Sequence, residues 1–413
     1  MTARIAFLVP LRRLLRIGTL VPATIAATAA ADLALRTLPP DRYSFRVWEA
    51  MRTSGEPSPF RPSHRYHRDD VYGNLAALGN IPGRREYRAQ TFTTDALGYH
   101  NPPGLTDQGA IAAVLFGTSQ SAGAEVNDDE TLAARLTALT GRSVYNAAAG
   151  DQSLWRIRQL GARLGLGEGW IIVEPPEEWE LPPMVPGPPD PPEARCGAIV
   201  AALDLERACG RLARSVREWR VSPLRIFAQR ALKVVQDDRL LPNPYEDLAL
   251  QARLRNGDTT LFLPLERSRF HEPRSEARAA RYLVWLARKL EQHRLHVLVL
   301  LVPKKFTVYA PLLDPPEPGT DQLAAFNERL ERRLREDGIP VVNLTRPFQA
   351  AAAAGIAERR YIYWSDDTHW NAAGITVAAA EIAHLWCQVS GVGVGRASRG
   401  DPDTRHLAPD TCR

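Results

Sequence analysis

From residue 110 onward, short apolar runs rich in β-branched residues are separated by stretches with helical periodicity. The runs Ile111 to Phe116, Ser143 to Asn146, Trp170 to Glu174, His296 to Val302 and Val341 to Leu344 are predicted strands. Between them, Leu132, Leu136 and Leu139 share one helix face ended by Gly141, and Leu323, Phe326, Leu330 and Leu334 share another ended by Gly338. Such stripes are core faces rather than ligand contacts. Strands alternating with helices point to βαβ units, hence to an α/β class with a mostly parallel sheet.

The alternation breaks between Pro175 and about Arg274. Nine of the eighteen residues from Pro175 to Pro192 are proline, which excludes helix and sheet interior and favours an extended polyproline segment. Helical patterns follow over Glu193 to Arg220 and Leu224 to Asp238. The predicted organisation is a targeting segment (1–40), the first part of an α/β domain (41–175), a Pro-rich and helical insertion (176–274), the second part of that domain (275–390) and a flexible tail (391–413). The insertion is either a cap over the site or a solvated elaboration.

Arg4, Arg12, Arg13 and Arg16 precede Ile17 to Ala31, fifteen residues without a charge, and Asp32 ends the run. That length lies between a secretory h-region and the roughly 20 residues that span a bilayer. The segment reads as an uncleaved signal-anchor, with a signal peptide cleaved near Ala27-Thr28-Ala29 as the alternative. Basic residues on its N-terminal side put the rest of the chain outside the cytoplasm. No later segment is expected to span; Leu295 to Val302 is the most apolar and suits a buried strand.

Composition narrows the function classes. With 45% hydrophobic and 24% charged residues among 413, wholesale disorder and a disulfide-dense miniprotein are excluded. The net charge of +5 is spread along the chain rather than gathered in a stripe, so nucleic-acid binding has little electrostatic support. Only four residues are Lys, an Arg bias that says nothing about partners. In an exported domain Cys196, Cys209, Cys387 and Cys412 are free to oxidise. A helix from Cys196 to Cys209 would hold that pair about 20 Å apart, too far for a disulfide. Cys387 with Cys412 is the more plausible pair, and free buried thiols are the alternative.

Ser119 follows a predicted strand and precedes a helix, the place where open α/β sheets keep their sites. It lies in GTSQSAG, where Gly117 permits a tight turn and Ser121, Ala122 and Gly123 permit close approach. A Ser hydroxyl becomes a useful nucleophile when a His, oriented by a carboxylate, removes its proton. In YIYWSDDTHWNAAG, His369 follows Asp366 and Asp367. Residues two apart point the same way in an extended segment, so Asp367 can reach His369 Nδ1 directly, whereas Asp366 needs a special turn.

These motifs resemble the SGNH, or GDSL-like, hydrolase superfamily, and especially an exported branch similar to alginate O-acetyltransferases and other envelope-polysaccharide acyltransferases. GTSQSAG resembles the first block, with Thr118 in place of the usual Asp, and implies Ser119 as nucleophile. VYNAAAG at 144–150 resembles the second, and implies Gly150 as an oxyanion donor beside the Ser119 amide. DDTHWN at 366–371 resembles the last, and implies His369 as base; the broad superfamily implies Asp366 as acid and the acetyltransferase branch Asp367. FTTDALGYHNPP at 92–103 and VPKKFTVYAPLL at 302–313 resemble flanking segments of that branch, the latter bringing Lys305 and Tyr309 towards substrate. The third block departs from the pattern: WIIVEPPEEWE lacks the Asn that would complete the oxyanion hole.

The resemblance implies a flavodoxin-like three-layer SGNH fold carrying a serine O-acyltransferase or esterase, with no cofactor or metal. Trp364 and Trp370, flanking the His loop, are expected to pack against sugar rings. The expected partners are a polysaccharide and an acyl donor supplied by a membrane acyltransferase. The rival of another class is a catalytically silent carbohydrate-binding scaffold.

Overall fold

The apolar runs pair as a five-stranded sheet in which all neighbours are parallel. The computed structural model describes residues 20, 22–38, 42, 44, 46–52, 58–107, 109–149, 151–175, 222–237, 242–268, 276–320 and 324–390. In chain order the elements used below are α1 (Pro22–Leu35), β1 (Arg65–Val71), β2 (Arg88–Thr93), β3 (Ala113–Phe116), α2 (Ser119–Ala122), α3 (Leu132–Thr140), β4 (Val144–Asn146), α4 (Leu154–Arg163) and β5 (Gly169–Val173). There follow α5 (Pro223–Asp237), β6 (Leu250–Arg253), β7 (Thr259–Phe262), α6 (Glu276–Glu291), β8 (Leu295–Leu301), α7 (Ala325–Glu336), β9 (Val341–Asn343), α8 (Thr345–Gly355) and α9 (Ala372–Val389).

The spatial order is β4-β3-β5-β8-β9, so the chain starts in the interior of the sheet, steps outward to β4 and returns past β3 to β5. This is the flavodoxin-like order, and its switch point lies between β3 and β5, where open α/β sheets form a crevice. Because side chains alternate across a strand, each strand feeds two cores. Leu115, Leu298 and Leu300 pack with Leu136, Phe348, Ile382 and Trp386 on the α3, α8 and α9 side. Val114, Phe116, Ile171 and Val299 pack with Ile157, Leu283 and Leu330 on the α4, α6 and α7 side. Three layers result.

All five expected strands form, with ends displaced by one or two residues. Two antiparallel hairpins, β1-β2 and β6-β7, were not expected. The run Arg65–Val71 buries fully only Tyr66 and Val71, so it carries no alternating apolar signal. The second hairpin occupies the end of the predicted insertion and joins the site loop, Leu261 N–H donating to Ser365 O at 2.8 Å. The helical pattern at 224–238 is α5; the Pro-rich run, the pattern at 193–220 and the tail at 391–413 lie outside the described residues.

The expectation that nothing after the N-terminal segment could span needs correction, because α9 is long and apolar enough to cross a bilayer. Its apolarity has another use: Ile375, Ala378, Ile382 and Trp386 are buried against the sheet. The apolar helix Pro22–Leu35 is shorter than a span. Cys387 is disulfide-bonded, with its partner outside the described residues, so the free-thiol alternative fails for this cysteine.

Candidate active site

Ser119 is the first residue of α2, directly beyond β3 at the switch point. Thr118 caps the helix, its side chain accepting from Gln120 N–H at 3.2 Å. Gly117 is required by close approach: a Cβ there would lie 2.4 Å from Glu174 Oε2 and 2.8 Å from Ser121 Cβ. The turn is braced from behind, with Asn146 Nδ2 donating to Ser121 O at 3.2 Å and the His100 ring meeting Ala122 O at 2.9 Å. Asn101 supports Asn146 in turn, accepting from its N–H at 2.8 Å. Two of the segments with family resemblance thus hold the nucleophile turn.

His369 comes from the loop before α9. Its Nε2 lies 2.7 Å from Ser119 Oγ and its Nδ1 lies 2.5 Å from Asp367 Oδ1, which also accepts His369 N–H at 2.8 Å. A carboxylate at Nδ1 keeps the ring proton there and leaves Nε2 to accept from the serine. Asp366 does not touch the ring; its carboxylate accepts from Gly73 N–H at 2.6 Å, Glu86 N–H at 2.9 Å and Arg88 at 3.1 Å. The two adjacent acids are therefore divided between the imidazole and the loop's support.

Electrostatics follow this division. Burial of Asp367 disfavours its charge, yet His369 and Arg88 outweigh that and hold its pKa well below the usual carboxylate range. Burial of His369 works against protonation, yet the Asp367 charge and hydrogen bond outweigh it and raise the imidazole pKa. Asp366, with its burial only partly offset by Arg88, is shifted upward.

Arg88, Glu125 and Asn74, which neighbour the site, carry no motif. Arg88 on β2 donates to Glu125 Oε2 at 3.0 Å, lies 3.9 Å from Asp367 Oδ2, and stacks 4.2 Å from the centroid of the Trp364 ring. Glu125 is buried, with Arg46 at 3.6 Å; burial first, and the Asp367 charge second, push its pKa up to about 7. Asn74 N–H also donates to Asp367 Oδ2. Gln120 laces the Ser119 helix to the His369 loop, donating to Thr368 O at 3.0 Å and accepting from Trp370 N–H at 3.1 Å. The only sequence signal for Arg88 is its residue type; its separation of 278 residues from Asp366 hides the contact.

Other expected site residues are placed differently. Lys305 is buried under the loop, donating to Trp364 O at 2.7 Å, Ser365 O at 2.9 Å and Asp367 O at 3.0 Å. Burial pulls its pKa down to about 8, against the pull of nearby acids. Tyr309 is buried, and its hydroxyl accepts Ile362 N–H at 3.0 Å. Trp370 is 1% exposed and spends its indole N–H on Gln120 O at 2.9 Å. These three brace the site from within, which corrects the expectation of sugar contact: a Lys or indole becomes core when backbone carbonyls satisfy it. Trp364 is half-buried beneath Arg88.

Gly150 lies outside the described residues. The Ser119 amide is at the first position of α2, where a helix leaves the N–H without an intrahelical acceptor. Glu174 directly follows β5. It accepts from Thr118 N–H at 2.9 Å, Thr118 Oγ1 at 2.6 Å and Ser121 N–H at 3.2 Å, and its pKa is raised by burial. This position holds the nucleophile turn.

Glu125, Asp367 and His369 place ligand atoms within 4.8 Å of one another, a spacing that could hold a metal ion. The Arg88 and Arg46 guanidiniums already face that group of acids, and His369 has both ring nitrogens engaged.

Residues 258–398 match the family described as the SGNH hydrolase-like domain of the acetyltransferase AlgX. This part of the chain resembles an SGNH-type domain of the AlgX-like branch. That assignment supports an acyl or acetyl transferase or an esterase. No curated protein matches the sequence. Among solved structures, a lipase/acylhydrolase from Enterococcus faecalis is similar at 12% identity and a TM-score of 0.31, covering 68% of this chain and 96% of that one. An alpha/beta hydrolase enzyme from the metagenome of Lake Arreo, Spain, is similar at 11% identity and a TM-score of 0.32, covering 68% of this chain and 97% of that one.

Proposed function

We propose that this AlgX-like protein is an exported serine O-acyltransferase, anchored by its N-terminal segment and acting on a cell-envelope polysaccharide. The observation that carries the reading is the unbroken line from Asp367 through His369 to Ser119, at 2.5 and 2.7 Å. His369 Nε2 takes the hydroxyl proton as Ser119 Oγ attacks the acyl carbonyl, and Asp367 stabilises the imidazolium that forms. The donor alcohol leaves with that proton, and the acyl group stays on Ser119. A sugar hydroxyl then attacks the acyl-enzyme with His369 again as base, and the product leaves as a new ester. The Ser119 amide, with Gly150 as second donor, serves the oxyanion. The acyl donor would come from a membrane acyltransferase, and Trp364 remains the aromatic surface suited to a sugar ring.

Hydrolysis is the same chemistry with water as the second nucleophile, so the acceptor decides the name. A serine-reactive phosphonate should label Ser119 in the wild type and fail in His369→Ala; an unlabelled wild type would leave only a binding scaffold. With p-nitrophenyl acetate as donor, rising oligosaccharide concentration should divert acetyl groups from water to sugar. A partition ratio blind to acceptor across a panel of envelope glycans would make the protein an esterase.

A further inference from the structure

Helix α5 is amphipathic with its faces inverted. Three polar side chains point into the protein, while Arg225 and Gln229 are exposed: Lys233 Nζ donates to Ala77 O, Gln236 Oε1 accepts from Asn80 at 3.4 Å, and Asp237 pairs with Arg85 at 2.8 Å. Arg230 and Lys233 line a cavity of about 280 Å³ against Tyr72 and Tyr87. The opposite side is apolar and exposed, with Phe227 at 54% and Val235 at 37%, and Val234 at 52% where the face borders the cavity. Residues 224, 227, 228, 231, 234 and 235 follow the three-and-four spacing of one helix face and include no charged or hydrogen-bonding side chain. A water-facing helix normally shows the reverse pattern, and contiguous exposed apolar surface marks an interaction site.

A second observation says what covers this face. The exposed apolar helix α1, with Ile25 at 65% and Leu33 at 56% exposure, ends at α5. Asp32, the first charge after the uncharged run, accepts from Ser222 Oγ at 2.5 Å and from Leu224 N–H at 3.2 Å. Its carboxylate caps the N-terminus of α5, a favourable place for a negative charge. Asp32 also pairs with Arg36 at 2.8 Å. The point where the N-terminal segment becomes polar is therefore the point where α5 begins, and the two apolar surfaces are joined by one side chain.

We propose that the apolar face of α5 lies in the headgroup and acyl boundary of the bilayer entered by the N-terminal segment. The domain is then held to the membrane at two places, and its orientation is fixed. This rests on the reading of residues 17–31 as a membrane segment. An interfacial helix buries its apolar face several ångströms into the boundary and needs no span length, which suits the fifteen residues of α5.

The test uses the full chain in nanodiscs of phosphatidylethanolamine and phosphatidylglycerol, with the photoreactive residue benzoylphenylalanine placed singly at 25, 227, 231 or 229. Lipid adducts at 25, 227 and 231, with at least fivefold fewer at 229 on the other flank of α5, are the expected result. F227E combined with V234E should cut the adduct yield at 231 at least fivefold while leaving thermal melting and p-nitrophenyl acetate turnover unchanged. Adducts at 25 without any at 227 and 231 would overturn the docking and keep the anchor. Absence at all positions would overturn both. Protein adducts at 227, to a second copy or to the same chain, would also overturn the proposal.

Discussion

Arg88 donates to Asp366 at 3.1 Å across 278 residues of sequence, and the same guanidinium reaches Glu125 at 3.0 Å. One cation thus offsets three buried acids, Asp366, Asp367 and Glu125, while its flat face rests on Trp364. Removing one partner from a buried charge group costs about 3–5 kcal/mol, because the others remain desolvated. Arg88→Ala should lower stability by that order in chemical denaturation. Arg88→Lys should recover only part of it, since an ammonium lacks the planar fork and the stack. Wild-type stability in Arg88→Lys would show that charge alone matters.

The division of labour between the two adjacent acids gives the second prediction. Asp367→Asn presents an amide to His369 Nδ1 and should lower kcat by about 10⁴-fold, as loss of the triad acid does elsewhere. Asp366→Asn should keep the imidazole in place and act on melting temperature more than on kcat. Comparable kcat losses in both variants would mean that loop support and ring orientation cannot be separated.

The raised pKa of His369 sets a pH profile. The ring must be neutral to accept the Ser119 proton, so kcat/KM should rise with pH along an acid limb whose midpoint lies above 6.5, the ordinary histidine value. In Asp367→Asn the charge that favours the imidazolium is gone, so the limb should move to lower pH as the rate falls. A limb that stays fixed would place the titrating group elsewhere.

Glu125 supplies a stability signature. Its pKa rises from 4.5 to about 7 on folding, so the folded state holds the proton more tightly than the unfolded chain. The resulting stabilisation is full below pH 4.5 and is lost as pH rises towards 7. Glu125→Gln cannot ionise, so its stability relative to the wild type should climb over that window, by a few kcal/mol at most. Urea titrations of both proteins at pH 5 and pH 8 measure the difference.

The fold was legible where burial is two-sided. The run 297–301 is apolar on both faces because helices cover both, and no surface demand interrupts it. The β1-β2 hairpin left no such mark, since Arg65 to Val71 faces solvent or buried charge along most of its length. In the site, the contact of Asp367 with His369 is local, and a two-residue spacing in extended chain suffices to foresee it. Arg88 and Glu125 are legible only through tertiary contact. Lys305 and Trp370 mislead for a related reason: their partners are backbone carbonyls, which every residue has and no sequence displays.

The bracing of the His loop also imposes an order of assembly. Ser119 and its turn are made early in synthesis, yet the base that would activate the serine arrives 250 residues later. The loop that carries it is held in place by Gly73, Asn74, Glu86 and Arg88, all made before the serine. Under the proposed mechanism, a half-finished chain that lacks residue 369 therefore carries Ser119 as an ordinary alcohol without its base. In the proposed mechanism, reactivity waits for the His369 loop to return to the segment from Gly73 to Arg88, so a product that lacks residue 369 lacks the proposed base.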